Sequence, residues 1–189
     1  MNTNKIITPS EKELLLSAAR ISYYRDFVMI SLCLHTGLRN SELINLIIND
    51  VSDNGDISTY LTVRSENSKA GSFRTIPLSK STVTLLREFI EWKQKNNEPT
   101  DSFSLLFLTH YNKKTLSPRD FQRFLRKLSL QSIGRPINPH VLRHTFATDL
   151  TACTNLRVIQ ILLGHKCLNS TQRYTHPNSE QLQTAVDNL

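Results

Sequence analysis

The sequence contains few cysteines and no long apolar segment. Its three cysteines, at positions 33, 153 and 167, lack the CxxC spacing of a zinc or dithiol site, which favours a reducing cytosol over a disulfide framework. No apolar run approaches the roughly 20 residues that cross a bilayer, and the N-terminus, MNTNKIITPSEKEL, lacks the apolar region of a secretory signal. We therefore predict a cytoplasmic protein with no membrane partner.

Several cofactor and catalytic motifs are also missing. There is no phosphate-binding loop and no GxSxG turn, so nucleotide-dependent and serine-hydrolase chemistry receive little support. His140 and His144 have the i, i+4 spacing of zinc ligands on a helix, but the HExxH glutamate is absent and no third ligand is evident. The sequence therefore predicts neither a metal nor a cofactor.

Positive charge is in excess and unevenly distributed. The 189 residues include 23 Lys and Arg against 16 Asp and Glu, a net charge of +7. Residues 101–150 contain eight bases and three acids, so this block carries five of the seven excess charges. A localised basic region is typical of a nucleic-acid-binding protein. Charge alone does not distinguish this from a basic protein with another role.

Helix-start signals and hydrophobic periodicity predict one mainly α-helical domain over residues 1–189, with a small antiparallel β-sheet near its middle. TPSE (8–11), SPRD (117–120) and NPH (138–140) each place a capping residue before a proline. The runs DISTYLTV (56–63) and SFRTIPL (72–78), joined by RSENSKAG, predict a β-hairpin with Lys69 at its tip.

The helix NPHVLRHTFATDL (138–150) combines apolar residues with His140, Arg143 and His144, which its spacing places on one face. Arg39 directly follows a helix-ending glycine and a leucine, and Glu42, one turn further on, could hold its guanidinium. Histidine and tyrosine also occur in the polar segments near the C-terminus. The candidate catalytic residues are Arg39, Lys69, His140, Arg143, His165 and Tyr174.

These residue types together suit phosphodiester chemistry. Two guanidiniums can bind the non-bridging oxygens of one phosphate. A tyrosine hydroxyl, with an ordinary pKa of about 10, must lose its proton to attack phosphorus. A histidine can accept that proton, and a lysine can protonate the departing alkoxide. Because no metal or nucleotide motif is present, the energy of the broken phosphodiester would be retained in a covalent phosphotyrosine.

Five motifs, HTGLRNSEL, SKAGSFRTIPL, HVLRHTFAT, LRVIQILLGH and STQRYTH, occur in this order between about residues 6 and 177. In combination they resemble the signatures of the tyrosine recombinases, the phage-integrase and Xer-type site-specific recombinases. The resemblance implies the catalytic-domain fold of that family and DNA cleavage and rejoining through a 3′-phosphotyrosyl intermediate. The short chain is similar in size to the fimbrial phase-switch recombinases.

The resemblance also implies a role for each matching residue. Arg39 and Arg143 match the two catalytic arginines, and Lys69 matches the hairpin lysine that protonates the 5′-hydroxyl leaving group. His140 matches the histidine that assists proton transfer, His165 matches the one that hydrogen-bonds the scissile phosphate, and Tyr174 matches the nucleophile. Glu42 resembles the acid that supports the first arginine, and His144 resembles a structural histidine.

Partners are implied in the same way. The expected substrate is double-stranded DNA at recombination sites, bound by a free monomer that assembles into a homotetramer on synapsed DNA. The segment from about 178 to 189 would pack on a neighbouring protomer, accessory DNA-bending proteins are further expected partners, and the location would be the nucleoid. The candidate DNA-binding residues are Lys113, Lys114, Arg119, Arg123, Arg126, Lys127 and Arg173.

Most relatives carry an N-terminal core-binding domain, and the sequence predicts that this domain is absent. The chain is then either a naturally short recombinase or an excised or decayed catalytic domain with weak DNA affinity and poor synapsis. Two alternative functions also stay open. The first alternative is a DNA-binding regulator that keeps the fold without catalysis, although a pure binder has no use for Tyr174. The second is a type IB topoisomerase-like enzyme that relaxes DNA with the same chemistry.

Overall fold

The computed structural model describes residues 6–53, 55–65 and 73–164. Helices dominate this part of the chain, as the sequence predicted. The α-helices are α1 (Pro9–Ser22), α2 (Tyr24–Thr36), α3 (Asn40–Ile44), α4 (Lys80–Lys95), α5 (Pro118–Ile133), α6 (Pro139–Thr151) and α7 (Leu156–Leu163), with a 3-10 turn at Ile48–Asp50.

The helix starts are those expected from the capping residues. The Thr8 side chain accepts a hydrogen bond from the Glu11 backbone, while the Glu11 carboxylate accepts one from the Thr8 backbone. Ser117 caps α5 in the same way, and the side chain of Asn138 accepts from the first turn of α6. Each cap satisfies backbone N–H groups that have no partner within the helix.

The predicted small antiparallel sheet consists of two separate strand pairs. Strands β1 (Ser52–Asp53) and β2 (Asp56–Ile57) form one pair, and β3 (Tyr60–Val63) and β4 (Arg74–Pro77) form the other. In the second pair Tyr60 lies opposite Pro77 and Val63 lies opposite Arg74. This pairing confirms the predicted hairpin, although Lys69 lies outside the described residues.

Helix α2 forms the centre of the main core and packs against α1, α4 and α6. Its residues Val28, Met29, Ile30, Leu32 and Cys33 are fully buried. A smaller apolar cluster joins α6 to α7 and contains Phe146, Ala147, Ile159 and Leu163. Together the two cores fix α6 and the ends of α2 and α7, which border the candidate site.

Gly37 ends α2 in a left-handed conformation, with φ of 62°, and α6 packs closely against it. A Cβ atom built on Gly37 would lie 2.4 Å from Cδ1 of Phe146 and 2.9 Å from Cδ2 of Leu163. Glycine is therefore required here both by the backbone angle and by the lack of space.

We expect Gly37→Ala to lower the free energy of unfolding by at least about 2 kcal/mol, since left-handed strain and overpacking add. Gly134 is a matched control because it ends α5 at φ of 72° with nothing within 4 Å of its Cβ position. Gly134→Ala should therefore show only the strain, about 1 kcal/mol. Urea denaturation of both variants measures the difference, and equal losses would contradict the packing argument.

Candidate active site

The centre of the candidate site is the carboxylate of Glu42, which lies in α3 and is fully buried. Its Oε1 accepts hydrogen bonds from Nη1 of Arg39 at 2.7 Å and from Nη1 of Arg74 at 2.9 Å. Its Oε2 accepts from the backbone N–H of Arg39 at 2.7 Å and from Nη2 of Arg74 at 2.8 Å. The predicted contact between Glu42 and the Arg39 guanidinium is confirmed.

Arg143 brings a third guanidinium to the same place from α6. Its Nη1 lies 3.9 Å from Oε2 of Glu42. The same nitrogen donates to the carbonyl of Gly37 at 2.5 Å, and Nη2 donates to the carbonyl of Leu163 at 2.6 Å. Arg143 therefore connects the end of α2, the end of α7 and the buried carboxylate.

The last turn of α7 is held by all three arginines. The carbonyl of Leu162 accepts from Nε of Arg74 at 3.0 Å, and that of Gly164 accepts from Nη2 of Arg39 at 3.3 Å. Arg143 takes the carbonyl between them. The final carbonyls of a helix lack partners within the helix and carry partial negative charge, so cations stabilise them. These contacts fix the end of α7.

Among the ion pairs formed by the described residues of this cluster, three guanidiniums surround one carboxylate, a positive excess of two. The side chains of Arg74 and Arg143 are each only 6% exposed, whereas that of Arg39 is 20% exposed. The excess positive charge is therefore closest to solvent at Arg39, where an anion could approach.

The environment of Glu42 has opposing effects on its pKa. Burial raises the pKa, but the hydrogen bonds and charges of Arg74 and Arg39 outweigh burial and lower it from 4.5 to about 2. Glu42 is therefore a carboxylate at neutral pH.

This pKa implies a loss of stability in acid. Because the pKa is lower in the folded chain than in the unfolded one, the stabilisation is complete above pH 4.5 and is lost as pH falls towards 2. We expect Glu42→Gln to cost on the order of 2 kcal/mol at neutral pH and to weaken this pH dependence. Urea denaturation between pH 2.5 and 6 measures both effects.

Glu11→Gln provides the comparison for that experiment. Its pKa is also lowered from 4.5 to about 2, chiefly by a hydrogen bond from Arg135. Because Glu11 is on the surface side of α1 and solvent screens its ion pair, its removal should change the pH dependence less. A pH dependence in Glu42→Gln equal to that of the unmodified chain would contradict the assignment.

The other predicted catalytic residues fall into two groups. His140 is exposed in the first turn of α6, and His144 is half-buried one turn later. Arg143 is buried, so the helix face predicted to carry these three residues is exposed at its start and more buried further along. Lys69, His165 and Tyr174 lie outside the described residues, as does the candidate DNA-binding residue Arg173. Their places in the site remain predictions.

The sequence analysis missed Arg74. In β4 the buried residues are Arg74 and Ile76, which share one face, while Thr75 and Pro77 are exposed. An arginine in register with a buried isoleucine is a charge directed inwards, and such a charge needs a carboxylate partner. This alternation was the available signal, although it does not identify Glu42 as the partner.

The candidate DNA-binding residues of α5 occupy its exposed face. Phe121 and Leu125 are buried on the opposite face, so α5 is amphipathic. Arg123 pairs with Asp120 at 3.0 Å but keeps a side chain that is 77% exposed. The exposed bases of this surface are Lys114, Arg119, Arg123, Arg126 and Lys127.

Two further contacts define the surroundings of α5. The side-chain nitrogen of Lys113 donates to the carbonyls of Asn96 and Asn97, at 2.7 and 3.1 Å, so this predicted DNA contact also holds the end of α4. The Nδ2 of Asn40, next to Arg39, donates to the carbonyl of Pro118 at 2.9 Å. The N-terminus of α5 is therefore hydrogen-bonded to α3, the helix that contains Glu42.

The buried carboxylate of Glu42 thus lies among guanidiniums from three separate elements of a mainly helical domain. The sequence profile of the phage integrase family matches residues 5–181 of this chain. Tyrosine recombinase XerA from Pyrococcus furiosus is 35% identical over 187 residues, which cover 97% of this chain and 61% of XerA.

Solved structures have the same fold. The crystal structure of XerA recombinase aligns with a TM-score of 0.76 and 29% identity, covering 97% of this chain and 62% of that chain. The XerH site-specific recombinase bound to palindromic difH substrate, a post-cleavage complex, aligns with a TM-score of 0.70 and 25% identity, covering 97% of this chain and 52% of that chain.

The chain belongs to the phage integrase family. Its fold is that of tyrosine recombinase catalytic domains. It spans about 60% of the length of the curated relatives that it matches.

Within residues 6–53, 55–65 and 73–164, no helix has the length and apolar character needed to cross a membrane. In the same part of the chain, no group of three or more His, Cys, Asp or Glu side chains is arranged to hold a metal ion.

Proposed function

We propose that this chain is a site-specific DNA recombinase that cuts and rejoins strands through a covalent tyrosine intermediate. The observation that carries the proposal is the convergence of Arg39 and Arg143 on one buried carboxylate. These two residues come from distant parts of the sequence and match the family's catalytic arginines. Their excess positive charge suits the two non-bridging oxygens of a phosphodiester.

In the proposed reaction, the hydroxyl oxygen of Tyr174 attacks the scissile phosphorus and loses its proton with the help of His140. The bond from phosphorus to the 5′ oxygen breaks, and Lys69 gives that oxygen a proton. Arg39, Arg143 and His165 bind the phosphate oxygens as negative charge develops on them. Attack by a 5′-hydroxyl on the 3′-phosphotyrosine reverses these steps and rejoins the strand.

The proposed substrate is double-stranded DNA that carries recombination sites. Support comes from the basic face of α5, whose N-terminus is hydrogen-bonded to α3 through Asn40, and from the related XerH structure with its difH substrate. We further propose assembly into a homotetramer on paired sites and a location at the nucleoid.

DNA affinity should depend steeply on salt. Removing one base of the α5 surface, for example by Arg126→Ala, is expected to weaken binding similarly for different DNA sequences. The slope of log affinity against log salt should also fall by about one. Fluorescence anisotropy between 50 and 200 mM salt measures both quantities. An unchanged slope would show that α5 does not contact the phosphate backbone.

The proposal is tested with nicked DNA from which the cleaved end diffuses away. Fragments carrying direct or inverted repeats from beside the gene are incubated with the protein, and adducts that survive SDS are measured. An adduct supports the enzyme, and DNA binding without an adduct on any fragment would favour a silent DNA-binding regulator. Relaxation of supercoiled DNA by the monomer, without exchange between sites, would favour a topoisomerase-like enzyme.

A further inference from the structure

We propose that Arg74 is a positioning residue for the two phosphate-binding arginines, acting through Glu42 and the last turn of α7. This inference rests on the proposed function, because it assumes that Arg39 and Arg143 bind the scissile phosphate. It adds a residue whose guanidinium binds protein groups and is not expected to contact the DNA.

The contacts of Arg74 leave little of its guanidinium for a ligand. Nη1 and Nη2 donate to the two carboxylate oxygens of Glu42 at 2.9 and 2.8 Å, and Nε donates to the carbonyl of Leu162 at 3.0 Å. All three nitrogens are therefore used inside the protein, in a two-point geometry that lysine cannot reproduce.

Arg74 supports Arg39 by fixing its carboxylate partner. Each oxygen of Glu42 is shared between a donor of Arg39 and a donor of Arg74. The two hydrogen bonds from Arg74 fix the orientation of the carboxylate plane. The Arg39 guanidinium is in turn oriented by its hydrogen bond to Oε1 of that carboxylate. Without Arg74 the carboxylate could rotate, and Arg39 would follow it.

Arg74 supports Arg143 through the end of α7. The carbonyl of Leu163, which accepts from Arg143, directly follows the carbonyl that accepts from Arg74. Gly164 packs so closely on Arg74 that an added Cβ would lie 3.0 Å from its Cδ and Nη1. Arg74 therefore contacts both supports of the phosphate-binding pair.

A competing explanation is that Arg74 acts through the hairpin. It is the first residue of β4, it pairs with Val63, and it stands five positions after Lys69 in the sequence. Loss of Arg74 could therefore disturb the proposed proton donor. The two explanations predict different rates of adduct formation when one non-bridging oxygen of the scissile phosphate, or the 5′ leaving atom, is replaced.

The experiment measures single-turnover adduct formation by Arg74→Met on three DNAs. The first is unmodified, the second carries a methyl group in place of one non-bridging oxygen of the scissile phosphate, and the third has sulfur as the 5′ leaving atom. We expect a loss on the order of 10²-fold on unmodified DNA. The loss should shrink on the methylated DNA, whose neutral phosphate needs less cationic support, and stay the same on the sulfur DNA.

Two other variants calibrate this pattern. Lys69→Ala should be rescued by the sulfur leaving group, because a thiolate needs no proton donor. Arg64→Met is the matched control, since Arg64 contacts Asp50 and the carbonyl of Asn45 on the other side of the hairpin base. Arg64→Met should show no rescue by the methylated phosphate.

The outcomes decide the proposal. Rescue of Arg74→Met by sulfur would place its action in the hairpin and overturn the inference, as would equal losses on all three DNAs. Arg74→Lys, which keeps the charge but not the two-point contact, should show a smaller loss with the same pattern. It also provides the test if Arg74→Met does not fold.

A second measurement does not depend on cleavage. NMR signals of the Nε–Hε groups of Arg39 and Arg143 report how firmly each guanidinium is held, and both should broaden in Arg74→Lys or Arg74→Met. Unchanged signals would overturn the inference even if the chain cleaves DNA. Broadened signals in a chain whose unmodified form makes no adduct would support the positioning role and reject the recombinase proposal.

Discussion

Replacing Tyr174 with phenylalanine is expected to lower covalent adduct formation by at least about 10⁴-fold. The change removes the one oxygen that the proposed mechanism joins to phosphorus, and loss of a nucleophile typically costs several orders of magnitude. DNA binding should persist, since the phosphate contacts assigned to Arg39 and Arg143 do not depend on the phenol. Adduct yield on nicked DNA after SDS treatment measures the first effect, and anisotropy measures the second.

Tyr111→Phe is the matched control for that experiment. Tyr111 is 96% exposed on the loop before α5 and contacts His110, so its hydroxyl is open to solvent without lying in the arginine cluster. This variant should form adduct at the rate of the unmodified chain. An adduct that persists in Tyr174→Phe, or one that is lost in Tyr111→Phe, would place the nucleophile elsewhere.

Replacing Arg143 with alanine is expected to slow adduct formation about 10³-fold at saturating protein, which is the scale of losing a donor to developing negative charge. Two effects add here. The phosphate loses one guanidinium, and the carbonyls of Gly37 and Leu163 lose the donor that ties α2 to α7. Single-turnover rates at several protein concentrations separate the chemical step from DNA affinity.

Two companion variants separate charge from geometry. Arg143→Lys keeps the charge but cannot reach both carbonyls, and we expect it to lose about 10²-fold. Arg87→Ala removes an arginine that pairs with Asp56 at 2.9 Å on an exposed face of α4, so its rate should stay unchanged. Thermal unfolding of all three variants shows how much of each loss is due to folding. A rate in Arg143→Ala within threefold of the unmodified rate would remove Arg143 from the mechanism.

Most of the fold was predictable because its signals are local. Thr8 with Glu11, and Ser117 with Asp120, cap helices through contacts three residues apart, and the sequence shows both partners together. The contact between Arg39 and Glu42 has the same short spacing. The hairpin followed from two β-like runs around a polar stretch. Such features depend only on residue propensity and spacing, so they can be predicted without knowledge of the tertiary structure.

The parts of the site that were missed depend on distant partners. Arg74 lies 32 positions from Glu42, and its burial becomes visible only when β4 packs against α3 and α7. Likewise, helical spacing predicted that His140 and Arg143 lie on one face of the helix. It did not predict how deeply each side chain is buried. The end of α7 covers Arg143 and leaves His140 exposed. Sequence periodicity gives direction around a helix axis, whereas burial is decided by which element packs there.

The shared oxygens of Glu42 have a consequence for how this domain can evolve. Since each oxygen serves two arginines, positions 39, 42, 74 and 143 form one energetic unit, and substitutions within it should be strongly epistatic. Replacing Glu42 and Arg74 together removes both members of their ion pair. The free energy of unfolding should therefore fall by less than the sum of the two single losses. Libraries built one position at a time would overlook such pairs, so natural or directed diversification has to change these positions jointly.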